Sequence, residues 1–198
     1  MPRVKQRTSE LRAEVLRVAV DTVSAQGVAG LTARRVAAGA GTSTPAVYEL
    51  FGDKAGLVRE VVFEGFASLR QRFDRLRLGD DPRRDLLRTL HAFRDFARDN
   101  PSLAQLMFAR GFADFDPGPA DVAAGEATRR FVVERVRRCI AAGVIRGDEG
   151  DVAHALLALA QGLAAQESAG WLGRSRASRD RRWDVGLRAM LDGLTPRA

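Results

Sequence analysis

Residues 31–57, LTARRVAAGAGTSTPAVYELFGDKAGL, constrain this chain more than any other stretch, because two short helical patterns meet there across a Gly-containing turn. Thr32 is placed to cap the orphan amides of Ala33 to Arg35, and Val36 and Ala37 share one face of the helix that follows. Gly39, Ala40 and Gly41 stop it. Ser43 is a second cap, and Pro45 falls in the first turn, where its missing N–H costs no hydrogen bond. Ala46, Val47, Leu50 and Phe51 supply an apolar face, Gly52 ends the helix, and Asp53 caps a third beginning at Lys54. This spacing is that of a helix-turn-helix, in which the second helix enters the DNA major groove. Periodicity alone fits an ordinary αα-hairpin equally well.

The order of residues decides further. From about Arg12 to Val62 the chain resembles the tetracycline-repressor (TetR/AcrR) family of bacterial transcription regulators. Val15, Leu16, Ala19, Val23, Gly27, Leu31-Thr32, Val36-Ala37, Ala40-Gly41, Ser43, Val47-Tyr48, Phe51, Lys54 and Leu57 carry the likeness. Two departures stand out. Thr42 occupies a position where the family often has an aliphatic residue, and Tyr48-Glu49-Leu50 replaces a frequent aromatic pair and His. They bear on the operator sequence, not on the fold.

The rest of the chain reads as helices only, so the expected class is all-α: a three-helix DNA-binding domain over residues 1–53, then a ligand-binding and dimerisation bundle over 54–198, with about nine helices. Helix one is predicted from Ser9, as cap, to Gln26. The fourth runs from Lys54 to about Leu78, roughly 36 Å at 1.5 Å per residue, and joins the two domains. After Gly79-Asp80-Asp81-Pro82, a fifth ends near Asp99, and Asn100-Pro101 opens a sixth that yields to Gly111 and the turn-rich ADFDPGP. A seventh is predicted over about Ala120 to Ala142. An eighth, opened by Asp151, is apolar on most faces, and a ninth carries Trp183, Val185, Leu187, Met190, Leu191 and Leu194. The intervening GWLGRSRASRDRR reads as a solvated arginine-rich loop. Gly162, Ala165 and Gly186 permit close helix approach, so the last two helices predict a homodimer, as the resemblance also implies; a monomer with both helices internal is the alternative.

Charge is a weaker guide. The net charge is +7 and the pI about 10.9, which suits a polyanionic partner. Residues 1–60 hold nine Lys or Arg against six Asp or Glu, so the head is not uniquely basic. Arg3, Lys5 and Arg7 precede the first acidic residue and form a short cationic arm, either along phosphates or simply solvated. The chain lacks an apolar run of transmembrane length and a signal-peptide core, so a cytoplasmic location and no membrane partner are expected. The single Cys139 lies among Val136, Ile140 and Val144 and reads as a buried, inert thiol.

No enzyme is expected. His91 and His154 lie on different helices, and HExxH, CxxC, GxSxG and phosphate-loop motifs are missing, so neither a metal nor a cofactor is predicted. Asp151 and His154 offer two metal ligands on one face or, more simply, a cap beside a satisfied His. For DNA the exposed side of helix three and its entry turn supply Thr42, Ser43, Thr44, Pro45, Ala46, Tyr48 and Glu49. Thr44 suits a base edge or phosphate, and Pro45 and Ala46 suit a thymine methyl. Thr32 and the amides beside it form a phosphate site, while Arg34 and Arg35 add salt-dependent affinity or groove-edge readout. The resemblance implies phosphate contacts from Tyr48 and Lys54.

It also implies a small-molecule pocket in the body, where Phe66, Phe73, Met107, Phe108 and Phe131 either line a cavity or form core. Phe93, Phe96 and Phe112 share that ambiguity. Gln161, in LLALAQGLAAQ, is the best polar candidate, with His91 and Gln166 behind it; interhelical hydrogen bonding is the alternative for all three. The expected protein is a homodimeric regulator, a repressor released from a pseudo-palindromic double-stranded operator by a small apolar or amphipathic effector. A ligand-independent DNA-binding protein of the same fold, and an all-α enzyme or membrane-surface module, are the rival readings.

Overall fold

The computed structural model describes residues 2–108 and 119–196, with the side chains of residues 2–7, 119–122 and 124 excepted. Among the described residues there are nine helices and no strand: α1 (Pro2–Gly30), α2 (Ala33–Gly39), α3 (Thr44–Phe51), α4 (Lys54–Asp74), α5 (Pro82–Asp99), α6 (Pro101–Phe108), α7 (Pro119–Ala141), α8 (Glu149–Ser168) and α9 (Arg176–Gly193). They form two compact units, one of residues 1–67 with 100–122, the other of 68–99 with 123–198. The division between these units falls inside α4, after Ala67. One reason lies within the first unit, where α6 packs against α1.

Short polar side chains begin most of these helices. Asp81 Oδ1 accepts from the Arg84 N–H at 3.0 Å, Asp148 Oδ1 from Gly150 and Asp151 at 2.8 and 3.0 Å, and Ser175 Oγ from Ser178 at 3.1 Å. Each satisfies an amide that the helix itself cannot pair.

Several expected boundaries are corrected. The first helix starts at Pro2, so Ser9 is interior and no cap, since nothing in PRVKQRTSE breaks a helix; the cationic arm is helical in backbone, while its side chains lie outside the described residues. It breaks where expected, at Gly27, with φ +68°. The fourth ends at Asp74, short of Leu78. The cap of α8 is Asp148, not Asp151, and α9 begins at Arg176, two turns before Trp183, because Ser175 caps it. Most of the supposed arginine loop is thus helix: Arg179 donates to the Gly173 and Arg174 carbonyls, and Arg182 to that of Leu172. The segment ADFDPGP, with Phe112, lies outside the described residues apart from its last residue, Pro119, which opens α7.

The second unit is built around Phe93, Phe96, Leu156, Trp183 and Leu187, all buried. Ion pairs run through this core. Arg94 (α5) donates from Nε and Nη2 to the two Glu167 oxygens (α8) at 2.8 and 2.9 Å, and its Nη2 also lies 2.8 Å from Asp180 (α9). Trp183 Nε1 donates to the same carboxylate at 2.7 Å. Asp85, 4% exposed, accepts from the Gly79 N–H at 2.8 Å and from Arg138 at 2.9 Å, with Arg88 also 2.9 Å away. Burial raises both carboxyls, but these donors outweigh it and hold Asp85 and Glu167 below the ordinary carboxylate range. Cys139 is buried, and burial pushes its thiol up to about 11, as befits an inert core residue.

Candidate nucleic-acid interface

The geometry of residues 31–57 follows from their caps. Thr32 Oγ1 accepts from the Arg35 N–H at 3.3 Å, and Ser43 Oγ from the Ala46 N–H at 3.3 Å. Asp53 Oδ1 accepts from Gly56 at 2.7 Å. Between α2 and α3 the chain turns through Gly41, whose φ of +62° is costly for any residue with a Cβ. Thr42 N–H reaches the Ala37 carbonyl at 2.9 Å and Gly41 N–H the Ala38 carbonyl at 3.4 Å, the two-bond pattern that closes helix C-termini through a left-handed residue.

These bonds fix which side of α3 faces solvent. Val47 and Phe51 are buried, at 1% and 8% exposure, while Ser43, Pro45, Tyr48 and Glu49 are exposed and Thr42, Thr44, Ala46 and Leu50 half-buried. Tyr48 is 44% exposed, among the few large apolar side chains left open to water. Thr32, Arg34 and Lys54 are exposed beside it in sequence. Arg35 is also exposed, yet its Nη1 donates to the Gly30 carbonyl at 2.8 Å, tying α2 to the end of α1. One of the two arginines thus has a structural task that the sequence left open.

Two supports were not foreseen. Arg12 of α1 pairs with Glu60 of α4 at 2.8 Å and lies 5.0 Å over the Phe51 ring, so one side chain links three helices of the head. A Cβ at Gly56 would stand 2.0 Å from the Phe51 carbonyl oxygen, so α4 approaches the end of α3 as closely as it does only with glycine there. A Gly two residues after Lys54, inside a helical pattern, is the signal that carried this information.

The residues expected to line an effector pocket divide between the two units. Phe66 and Phe108 meet edge to face in the first, with centroids 5.7 Å apart, and Met107 packs where a Cβ on Gly65 would stand. In the second, Phe73 stacks on Phe131 at 5.0 Å and 19°. His91 Nε2 lies 3.3 Å from Asp184 Oδ1, an α5–α9 contact. Gln161 is half-buried and not the enclosed amide the apolar run suggested. Gln166 is exposed, as are Asp151 and His154.

Second and third helices held in this way, with short polar side chains facing out, have the geometry of a helix-turn-helix. Comparison with known proteins gives the family. The model for the bacterial regulatory proteins of the tetR family matches residues 15–61, and that for the tetracyclin repressor-like C-terminal domain matches residues 86–190. The second match alone spans more than half of the chain, and the protein belongs to the tetracycline-repressor family of transcription regulators. Solved structures agree in fold. A protein of unknown function from Rhodococcus sp. RHA1 is 27% identical, with TM-score 0.81 over 94% of this chain and 96% of that one. The TetR family transcriptional regulator PfmR from Thermus thermophilus is 20% identical, with TM-score 0.65 over 88% and 94%. The flavonoid-responsive regulator FrrA is 20% identical, with TM-score 0.66 over 96% and 100%. No curated protein matches the sequence. Among the described residues no helix is long and apolar enough to cross a membrane.

Proposed function

We propose that the protein is a cytoplasmic, homodimeric repressor that binds a pseudo-palindromic operator and leaves it when a small apolar or amphipathic molecule occupies the body. The observation that carries the DNA reading is the open row of α3, where short or hydrogen-bonding side chains from Ser43 to Glu49 face solvent while Val47 and Phe51 anchor the helix. Thr44, Pro45 and Ala46 are small enough to let backbone and base edges approach closely. Tyr48, Lys54 and the capped start of α2 at Thr32, all exposed, hold phosphates in this reading, with Arg34 adding charge.

Dimerisation is supported by α8 and α9. Ala155, Ala158, Gly162 and Ala165 form a row of small residues along α8 that is at least partly open to solvent, and Val185 on α9 is 61% exposed. A row of that kind lets a second pair of helices pack closely against it. Two heads one duplex turn apart, about 34–36 Å, would then read two half-sites. A ligand that favours a body conformation with displaced α4 weakens binding through its differential affinity for the two states.

Selection of random duplexes on the purified protein at physiological salt, followed by sequencing, tests the reading. A two-fold-symmetric motif is expected. Replacing Tyr48 or Lys54 with Ala should weaken all duplexes about equally, while Thr44→Ala should alter preference within the half-site. Absence of any enriched motif from folded, dimeric protein would overturn the operator assignment.

A further inference from the structure

Arg135, on α7, is the charged side chain in the second unit whose surroundings do not account for it. It is 8% exposed, and its Nε is buried with no hydrogen-bond partner among the described residues. Among the described residues its Nη1 donates to the Phe131 carbonyl, at 3.4 Å. The guanidinium carbon lies 3.2 Å from the Phe131 ring centroid, and that ring is itself stacked on Phe73.

Among the described residues four charged groups act on Arg135: Arg138, Arg70, Asp85 and Glu134. Each carboxylate among them is taken by another arginine. Asp85 is held by Arg138 and Arg88, both at 2.9 Å, and Glu134 pairs with Arg137 at 2.8 Å. Arg70, which also lies over Phe131 at 5.1 Å, pairs with Asp74 at 2.9 Å. Among the described residues Arg135 is left as a surplus cation. Burial, reinforced by Arg138, holds its pKa below the ordinary guanidinium range, so the charged form is penalised where it stands. Guanidinium groups do not escape by deprotonation, so the penalty persists until an anion arrives.

We propose that Arg135 is the anchor for the anionic group of a small organic acid, whose entry opens the closed packing around the Phe131 ring. A carboxylate is the natural occupant, because it satisfies the orphan Nε, supplies the missing countercharge and matches the planar fork of the guanidinium. This rests on the reading of the protein as ligand-responsive and narrows its effector from an apolar or amphipathic molecule to an organic acid.

The test measures binding rather than DNA release. Phenylacetate, octanoate and decanoate are each titrated calorimetrically into the full-length protein beside the neutral amide of the same skeleton. At least one carboxylate should bind about tenfold or more tightly than its amide, the range of a charge-assisted hydrogen bond. In R135M that preference should vanish, while Tm stays at or above the wild-type value, because an uncompensated charge has been replaced by an apolar side chain of similar length. The proposal is overturned if no carboxylate outbinds its amide, if R135M keeps the preference, or if R135M melts several degrees lower, which would make Arg135 a structural cation stacked on Phe131. The two readings fail separately. A carboxylate that binds through Arg135 without changing duplex affinity leaves the site standing and removes ligand-responsiveness. A neutral molecule that releases DNA where no carboxylate outbinds its amide does the reverse.

Discussion

The two compact units are stabilised by different chemistry. Among the described residues the first buries one polar side chain, Thr22, whose hydroxyl donates to the Val18 carbonyl one turn back, at 2.7 Å. The second buries Asp85, Thr89, Arg94, Thr128 and Arg135. The reading head is thus an apolar core under short helices that are fixed by local caps. The body joins long helices through ion pairs between residues far apart in sequence. A head that must present one rigid surface gains from bonds that close within three or four residues. In the body, buried pairs specify one arrangement of the long helices and heavily penalise its partial disruption.

The sharpest way to break this contrast is Glu167→Ala. It strips Arg94 of its bidentate partner and leaves Trp183 Nε1 without an acceptor. Removing one partner of a buried pair costs about 3–5 kcal/mol, so the urea midpoint at fixed protein concentration should fall steeply. Acid should reproduce part of the loss. Asp85 and Glu167 have depressed pKa values in the folded chain, so their stabilisation is complete above the unfolded carboxylate range, at about 4, and disappears as pH falls through their folded values. Glu167→Gln, compared with wild type from neutral pH downward, should show a flatter decline. An equally steep decline would mean that the Arg94 cluster is not where acid acts.

In the head the largest expected effect is steric. Gly56→Ala sets a methyl 2.0 Å from the Phe51 carbonyl oxygen, and that backbone atom has no rotamer to give. Overpacking of this kind costs about 1–3 kcal/mol. Because the strain falls at the α3–α4 turn, duplex affinity should drop beyond what unfolding explains, as a mobility-shift titration at matched folded fraction would reveal. Ser43→Ala should cost less, about 1 kcal/mol, by orphaning the Ala46 amide at the start of α3. A cost several times larger would show that Ser43 holds more than its own helix.

The same contrast explains what was legible in the sequence. Thr32, Ser43, Asp53 and Gly41 announce α2, α3 and the start of α4 because each acts on neighbours within a few positions. The body gave up its helices but not their bonding. Nothing near Arg94 points to Glu167, 73 residues away, or near Asp85 to Arg138, 53 residues away. Hence Arg179 and Arg182 read as loop charges, although Ser175 at their head has the same capping chemistry as Ser43. The half-burial of Gln161 escapes the sequence for a related reason. A polar residue in an apolar run looks buried when all apolar faces are assumed covered, and α8 leaves one face of small residues open.

The smallest expected effect probes the α2–α3 turn itself. Thr42 sits two residues past the α2 C-cap, Ala40, where an apolar side chain can pack back on the residue it bonds to, here Ala37. It is half-buried, and its backbone N–H makes the closing bond to Ala37. Thr42→Val keeps the shape and replaces a hydroxyl with a methyl on that packing surface. Stability should rise by roughly 0.5 kcal/mol, below the value of one fully buried methylene because the site is only half covered. The salt dependence of affinity for random duplex should not change, since no charged group is lost. If Thr42→Val instead lowers affinity for the selected operator while stability rises, the hydroxyl reads DNA, and a position built as a helix stop also carries sequence preference.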